Sequence, residues 1–62
     1  MVVFDRCGPS GNIFFIMASA SRELRNCGRS GESDEMIRRV QECESYDAAL
    51  SVIREYVDLL EV

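Results

Sequence analysis

The sequence predicts an α+β domain, mostly α, in which one short N-terminal strand is followed by three helices. Three observations carry this prediction. Gly11 to Gly28 (GNIFFIMASASRELRNCG) has a start signal, a stop signal and one apolar face. The first residues, MVVFDR, instead alternate weakly and hold the strand-favouring Val2, Val3 and Phe4. Two further stretches with helical apolar spacing follow Ser33 and Ser45, serines of the kind that cap a helix start. With 62 residues the chain has room for a single domain, 1–62.

The strand, Met1 to Arg6, places Val2 and Phe4 on one side and Val3 and Asp5 on the other. Everything after it reads as helix, so the strand has no expected partner within its own chain. Cys7 to Gly11 (CGPSG) is a turn, because Pro9 presets φ and the glycines on either side permit unusual backbone angles. It feeds a helix start but lacks the spacing and the lysine of a phosphate-binding loop. In the helix that follows, the side chain of Asn12 is placed to cap the first turn and Gly28 to stop the last. Ile13, Ile16, Met17, Ala20, Leu24 and Cys27 fall at i, i+3, i+4, i+7, i+11 and i+14, which is one face. Phe15 points nearly opposite Ile13 at roughly 100° per residue, beside Arg22.

Arg29 to Gly31 reads as a connector. The second helix is expected from Ser33 to Glu44, capped by Ser33, with Asp34 and Glu35 at its positive end. Met36, Val40 and Cys43 give it a narrow apolar stripe. Ser45 caps the third helix, expected over Asp47 to Glu61. Its polar residues share one face, and its apolar arc spans roughly 200°, about twice the width a surface helix uses. One flank can face the core, with Leu50, Ile53, Val57 and Leu60. The other needs a second cover. The expected core is Ile16, Met17, Ala20, Leu24, Val40, Ile53, Val57 and Leu60.

The wide arc, the outward Phe15 and the unpaired strand together predict a homodimer with two-fold symmetry, in which a single patch covers itself. Its expected interface is Val3, Phe15, Val52, Tyr56 and Leu59. Small size points the same way. A domain of this length buries only ~60% of its unfolded surface and commonly relies on a disulfide, a metal or a second subunit.

Composition narrows the function classes. Histidine is absent, and the three cysteines (Cys7, Cys27 and Cys43) form no CxxC pair. A structural zinc needs four ligands, typically in close pairs, so neither metal nor cofactor is expected. The thiols are expected to be reduced, with Cys27 and Cys43 acting as small buried apolar residues. A Cys–His nucleophile cannot be assembled, and no spacing singles out two carboxylates for acid–base work, so the reading is non-enzymatic. No run approaches the ~20 apolar residues of a membrane span, and no leader pattern is present, which makes the expected location the cytoplasm.

The net charge of −4 is unevenly laid out. Residues 1–31 hold four arginines against two acids, a balance of +2, and residues 32–62 hold three arginines against nine acids, a balance of −6. The simplest reading is that the two halves satisfy each other. An alternative function uses Arg22, Arg25 and Arg29, on or near one side of the first helix, as an anion or nucleic-acid face. Proteins that bind nucleic acid are normally basic overall, and this chain is acidic.

The runs GPSGNIFFIMASASRELR and SYDAALSVIREYVD resemble a group of very short, uncharacterised proteins encoded by bacteriophages and integrated mobile elements. Gly11, Asn12, Phe14, Arg22, Leu24, Gly28, Tyr46 and Asp47 carry the resemblance, which covers nearly the whole chain. It implies a mobile-element origin and no substrate. The expected function is accordingly a small interaction or structural module, with another copy or a host protein as partner. An acidic surface that imitates nucleic acid is one form such a module takes.

Overall fold

The computed structural model describes all residues from Met1 to Val62. The first strand, β1 (Val2–Phe4), obeys the alternation of the sequence: Val2 and Phe4 are buried and Val3 is exposed. The turn after it is held on Asp5. The Cys7 amide donates to Asp5 Oδ1 at 3.0 Å, the Gly8 amide to the Asp5 carbonyl at 3.0 Å, and the Asp5 amide to Ser10 Oγ at 2.9 Å. Pro9–Gly11 forms one turn of 3-10 helix, and there Gly11 is buried against the end of the strand. A Cβ on Gly11 would stand 2.5 Å from the Arg6 carbonyl oxygen and closer still to that of Asp5. Only glycine lets these two backbones approach so closely.

Helix α1 (Ile13–Asn26) starts and stops where its sequence says it should. The Phe14 amide donates to Asn12 Oδ1 at 2.7 Å, which satisfies one orphan donor of the first turn. At the other end Gly28 takes a φ of +76°. The Arg29 amide donates to the Leu24 carbonyl at 2.8 Å and the Gly28 amide to that of Arg25 at 3.1 Å, the paired bonds of a Schellman stop. Ile16, Ala20 and Leu24 are buried on the inner face.

Helix α2 runs over Ser30–Gln41, three residues ahead of the expected start. The Schellman turn delivers the chain directly into a new helix, and the ion pair between Arg29 and Glu32 spans its first turn. Ser33 is therefore not the cap. It is fully buried inside α2, where its hydroxyl shares a hydrogen bond with that of Ser21 on α1. Two small polar residues let the helices approach, and each satisfies the other.

Helix α3 is Tyr46–Arg54, with Ser45 as its cap: the Ala48 amide donates to Ser45 Oγ at 3.1 Å. The expected continuation to Glu61 is overturned. After Arg54 the chain turns and forms a second strand, β2 (Leu59–Glu61), parallel to β1 with Val2 opposite Leu59, Val3 opposite Leu60 and Phe4 opposite Glu61. The Val2 amide donates to the Asp58 carbonyl at 2.8 Å and the Val62 amide to that of Phe4 at 2.9 Å. The strand that lacked a partner in the sequence reading finds one in its own chain, and the wide apolar arc dissolves into a short helix plus a strand.

The core is Val2, Phe4, Ile16, Ala20, Leu24, Met36, Val40, Ala49, Leu50 and Ile53. Of the residues expected there, Met17 and Val57 are half-buried at its margin. Leu60 is exposed, because strand alternation turns it outward beside Val3. Cys27, expected inside, is exposed at the end of α1, and Cys43 is half-buried.

Gly11 and Gly31 make a matched test. Gly11→Ala should destabilise by ~1–3 kcal/mol, because its Cβ has nowhere to go. Gly31→Ala should stabilise by about 0.5 kcal/mol, since nothing lies within 4 Å of that Cβ in the first turn of α2. Denaturant melts that give both changes the same sign would contradict the packing described.

Candidate interaction surface

The largest surface concavity is an apolar groove of about 350 Å3 between α1, the end of α2 and the start of α3. Ile13 and Met17 line it from α1, Val40 from α2, Cys43 from the connection, and Tyr46 and Ala49 from α3. Phe14, Gln41, Glu44 and Ser45 complete it, and Glu44 is the one charged residue among them. Its volume lies within the range of small-ligand sites, and its apolar lining suits a carbon-rich guest.

The wall made by Tyr46 is fixed from two directions. Its hydroxyl donates to the Gly11 carbonyl. The Arg6 guanidinium lies 5.2 Å from the centre of its ring, a cation–π contact. Arg6 is itself held by Asp47 at 3.1 Å and by Glu61 at 3.3 Å. One arginine thus ties the β1 exit, the start of α3 and the end of β2 to the groove wall. The hydrogen bond to Asp47, with lesser help from Glu61, raises its pKa further above the arginine value.

Beside the groove stand two adjacent aromatics. Phe14 is 69% exposed and Phe15 50% exposed. Exposed apolar residues are common singly. Phe14 lines the apolar groove, whereas Phe15, roughly 100° further round the helix, faces away from it; together they leave the start of α1 apolar and exposed, the kind of surface that marks interaction sites. Phe14 has only a structural role in the sequence reading. The signal for it was present in the projection, since it sits roughly 100° from Ile13 and off the main apolar face.

The other expected interface residues divide. Val3 is exposed and lies beside Leu60 on the outer side of the strand pair. Val52, Tyr56 and Leu59 are half-buried and pack on the chain's own core. Tyr56 is further committed to a polar cluster. Its hydroxyl meets Glu35, it accepts from Arg39 at 3.1 Å, and Arg39 grips Glu55 through two bonds of 2.9 and 3.0 Å. The hydrogen bond from Arg39 lowers the pKa of the Glu55 carboxyl, and the neighbouring Glu35 raises that of the Tyr56 phenol.

The arginine face is largely neutralised. Arg25 pairs with Asp34 at 3.4 Å, and Arg29 is engaged at two of its three guanidinium nitrogens by Glu32. Arg22 is exposed and in no ion pair. The structure therefore leaves one free cation where the sequence offered three. No helix is long and apolar enough to cross a membrane, and no group of three or more Cys, Asp or Glu side chains is arranged to hold a metal ion.

Two measurements check this geometry. The depressed pKa values of Glu55 and Glu32 mean that their contribution is present above the ordinary carboxylate range and is lost as pH falls through their folded values. The melting temperature should fall on acidification, and Glu55→Gln should flatten part of that slope; an unchanged slope would contradict the Arg39 grip. All three thiols are free. Exposed Cys7 and Cys27 should be alkylated before half-buried Cys43, whose thiol donates to the Arg39 carbonyl at 3.3 Å, and simultaneous labelling would mean that the groove stands open to its floor. Comparison of the chain with protein-family models, with curated proteins and with solved structures finds no match.

Proposed function

We propose that the chain is a small, non-enzymatic protein-interaction module of the cytoplasm whose working surface is the Phe14–Phe15 end of α1 with the groove beside it. The observation that carries this reading is the exposed Phe14 in the wall of an apolar groove, with exposed Phe15 next to it in the chain, where the core is already filled by ten other residues. Large exposed aromatics are enriched where proteins meet, and they supply most of the energy of such contacts. The wall provided by Tyr46 is pinned before anything binds, which lowers the ordering cost of docking. The carboxylates with perturbed pKa values are held in exposed ion pairs rather than gathered in the groove, which favours binding over catalysis. The resemblance to short phage and mobile-element proteins is compatible with a host protein among the partners.

Nucleic-acid binding through Arg22, Arg25 and Arg29 is the second reading. It is less favoured, because Asp34 and Glu32 already occupy two of the three guanidinium groups.

Immobilised protein should retain protein partners, copies of itself included, and the double variant Phe14→Glu/Phe15→Glu should lose them while keeping its helical circular dichroism. Retention unaffected by the double change would contradict the proposal. Retention of DNA or RNA that weakens steeply with salt and with Arg22→Glu would replace it with the second reading.

A further inference from the structure

We propose that the occupant of this face is a second copy of the chain, docked about a two-fold axis beside Phe14 so that each Phe14 ring enters the partner's groove; this inference rests on the interaction reading above. Three observations lead to it.

The first is shape. Phe14 protrudes, at 69% exposure, from the margin of the groove it helps to line. A protrusion immediately beside a cavity is what an isologous contact needs, because the same patch must supply both the inserted group and the hole that receives it. An apolar cavity of about 150 Å3 already holds benzene. The groove here, at about 350 Å3, has room for a phenyl ring.

The second is charge. The groove carries a single charged side chain, Glu44, and so asks for a cation from whatever covers it. The chain has one to offer on the right surface. Phe15, Ala18 and Arg22, at i, i+3 and i+7, make the outward stripe of α1, and all three are exposed. Arg22 is the arginine of that helix with no partner, since Arg25 is taken by Asp34. Arg38 on α2 and Arg54 on α3 are likewise in no ion pair, but Arg22 is the one on the helix that carries Phe14, and in the dimer we place it against Glu44 of the other copy.

The third is size. A chain of 62 residues is short for an independent fold and commonly relies on a disulfide, a metal or a second subunit. The three cysteines are free and no side chains are grouped to bind a metal. Domains of this length also fold alone, so size permits a second subunit and does not demand one.

This contact is not the one the sequence suggests. Val52, Tyr56 and Leu59 pack on the chain's own core, so of the expected patch of Val3, Phe15, Val52, Tyr56 and Leu59 only Phe15, at the start of the first helix, belongs to this contact. The other exposed apolar pair, Val3 and Leu60, lies on the outer side of the strands and provides an internal control.

Light scattering and sedimentation equilibrium at micromolar concentration test the proposal. The native protein should have twice the 7.0 kDa mass of the chain. Phe14→Glu should weaken dimerisation roughly thirtyfold or more, as loss of a central aromatic does, and it places an acid where a helix N-terminus favours one. Val3→Glu should leave the mass unchanged. Arg22→Glu and Glu44→Arg should each weaken the dimer by roughly fivefold, and the two together should restore it. A monomer throughout, a dimer that survives Phe14→Glu, a dimer that Val3→Glu dissolves, or a charge reversal without restoration would each overturn the docking. If the native chain is monomeric but Phe14→Glu abolishes capture of a foreign protein, the second copy is wrong and the interaction reading stands. If Phe14→Glu changes neither mass nor capture, both fail.

Discussion

The parallel pairing of β1 with β2 is the constraint on which the other elements depend. It joins the two ends of the chain, so three helices must be threaded between strands that finish side by side and point the same way. The pairing also buries Phe4 and Val2 under α1 and brings Glu61 to Arg6. Through Arg6 the strand pair reaches Asp47 and the ring of Tyr46, and through the Tyr46 hydroxyl it reaches Gly11. The groove wall is therefore set by a chain of contacts that begins at the sheet. The close approach of Gly11 to the Asp5 and Arg6 carbonyls belongs to the same construction, since it decides where α1 leaves the strand.

The strand pair also decides which apolar residues are left over. By taking Leu59 into a strand, and by letting Tyr56 and Val57 settle on the core, it uses most of the apolar material that follows Arg54. Apart from the terminal Met1 and Val62, what remains outside is Val3 with Leu60 on the outer side of the sheet, and Phe14 with Phe15 at the start of α1. Of these four, only Phe14 lines the groove. Parallel strands are ordinarily covered on both sides, so the outer side of this sheet is unusual, but with three-residue strands it offers little area.

Local signals were legible in the sequence. Asn12, Gly28 and Ser45 act within one helical turn of themselves, and each does what its residue type implies. The inner face of α1 was legible for the same reason: Ile16, Ala20 and Leu24 repeat at helical spacing. Ser33 shows where such rules yield. Its type suits a cap, yet the turn at Gly28 and Arg29 starts the helix earlier, and tertiary packing gives Ser33 a buried partner in Ser21. β2 was hidden because it is three residues long and its partner lies more than fifty positions away in sequence. Its leucines also continue the apolar arc of α3. That arc was too wide for one helix, and its width was the trace of two periodicities laid end to end. The groove was hidden for another reason: two stretches far apart in sequence, Ile13 to Met17 and Val40 to Ala49, line it, and only the fold brings them together.

The fold completes its core within one chain, and we propose that the Phe14 end of α1 is the surface that meets another copy of it. Amide chemical shifts followed by NMR through a dilution series test it most directly. The account predicts that the shifts that move with concentration cluster at Ile13 to Met17 and at Cys43 to Tyr46, while Val3 and Leu60 stay still. Movement confined to Val3, Leu60 and their strand neighbours would place the contact on the sheet and contradict the account.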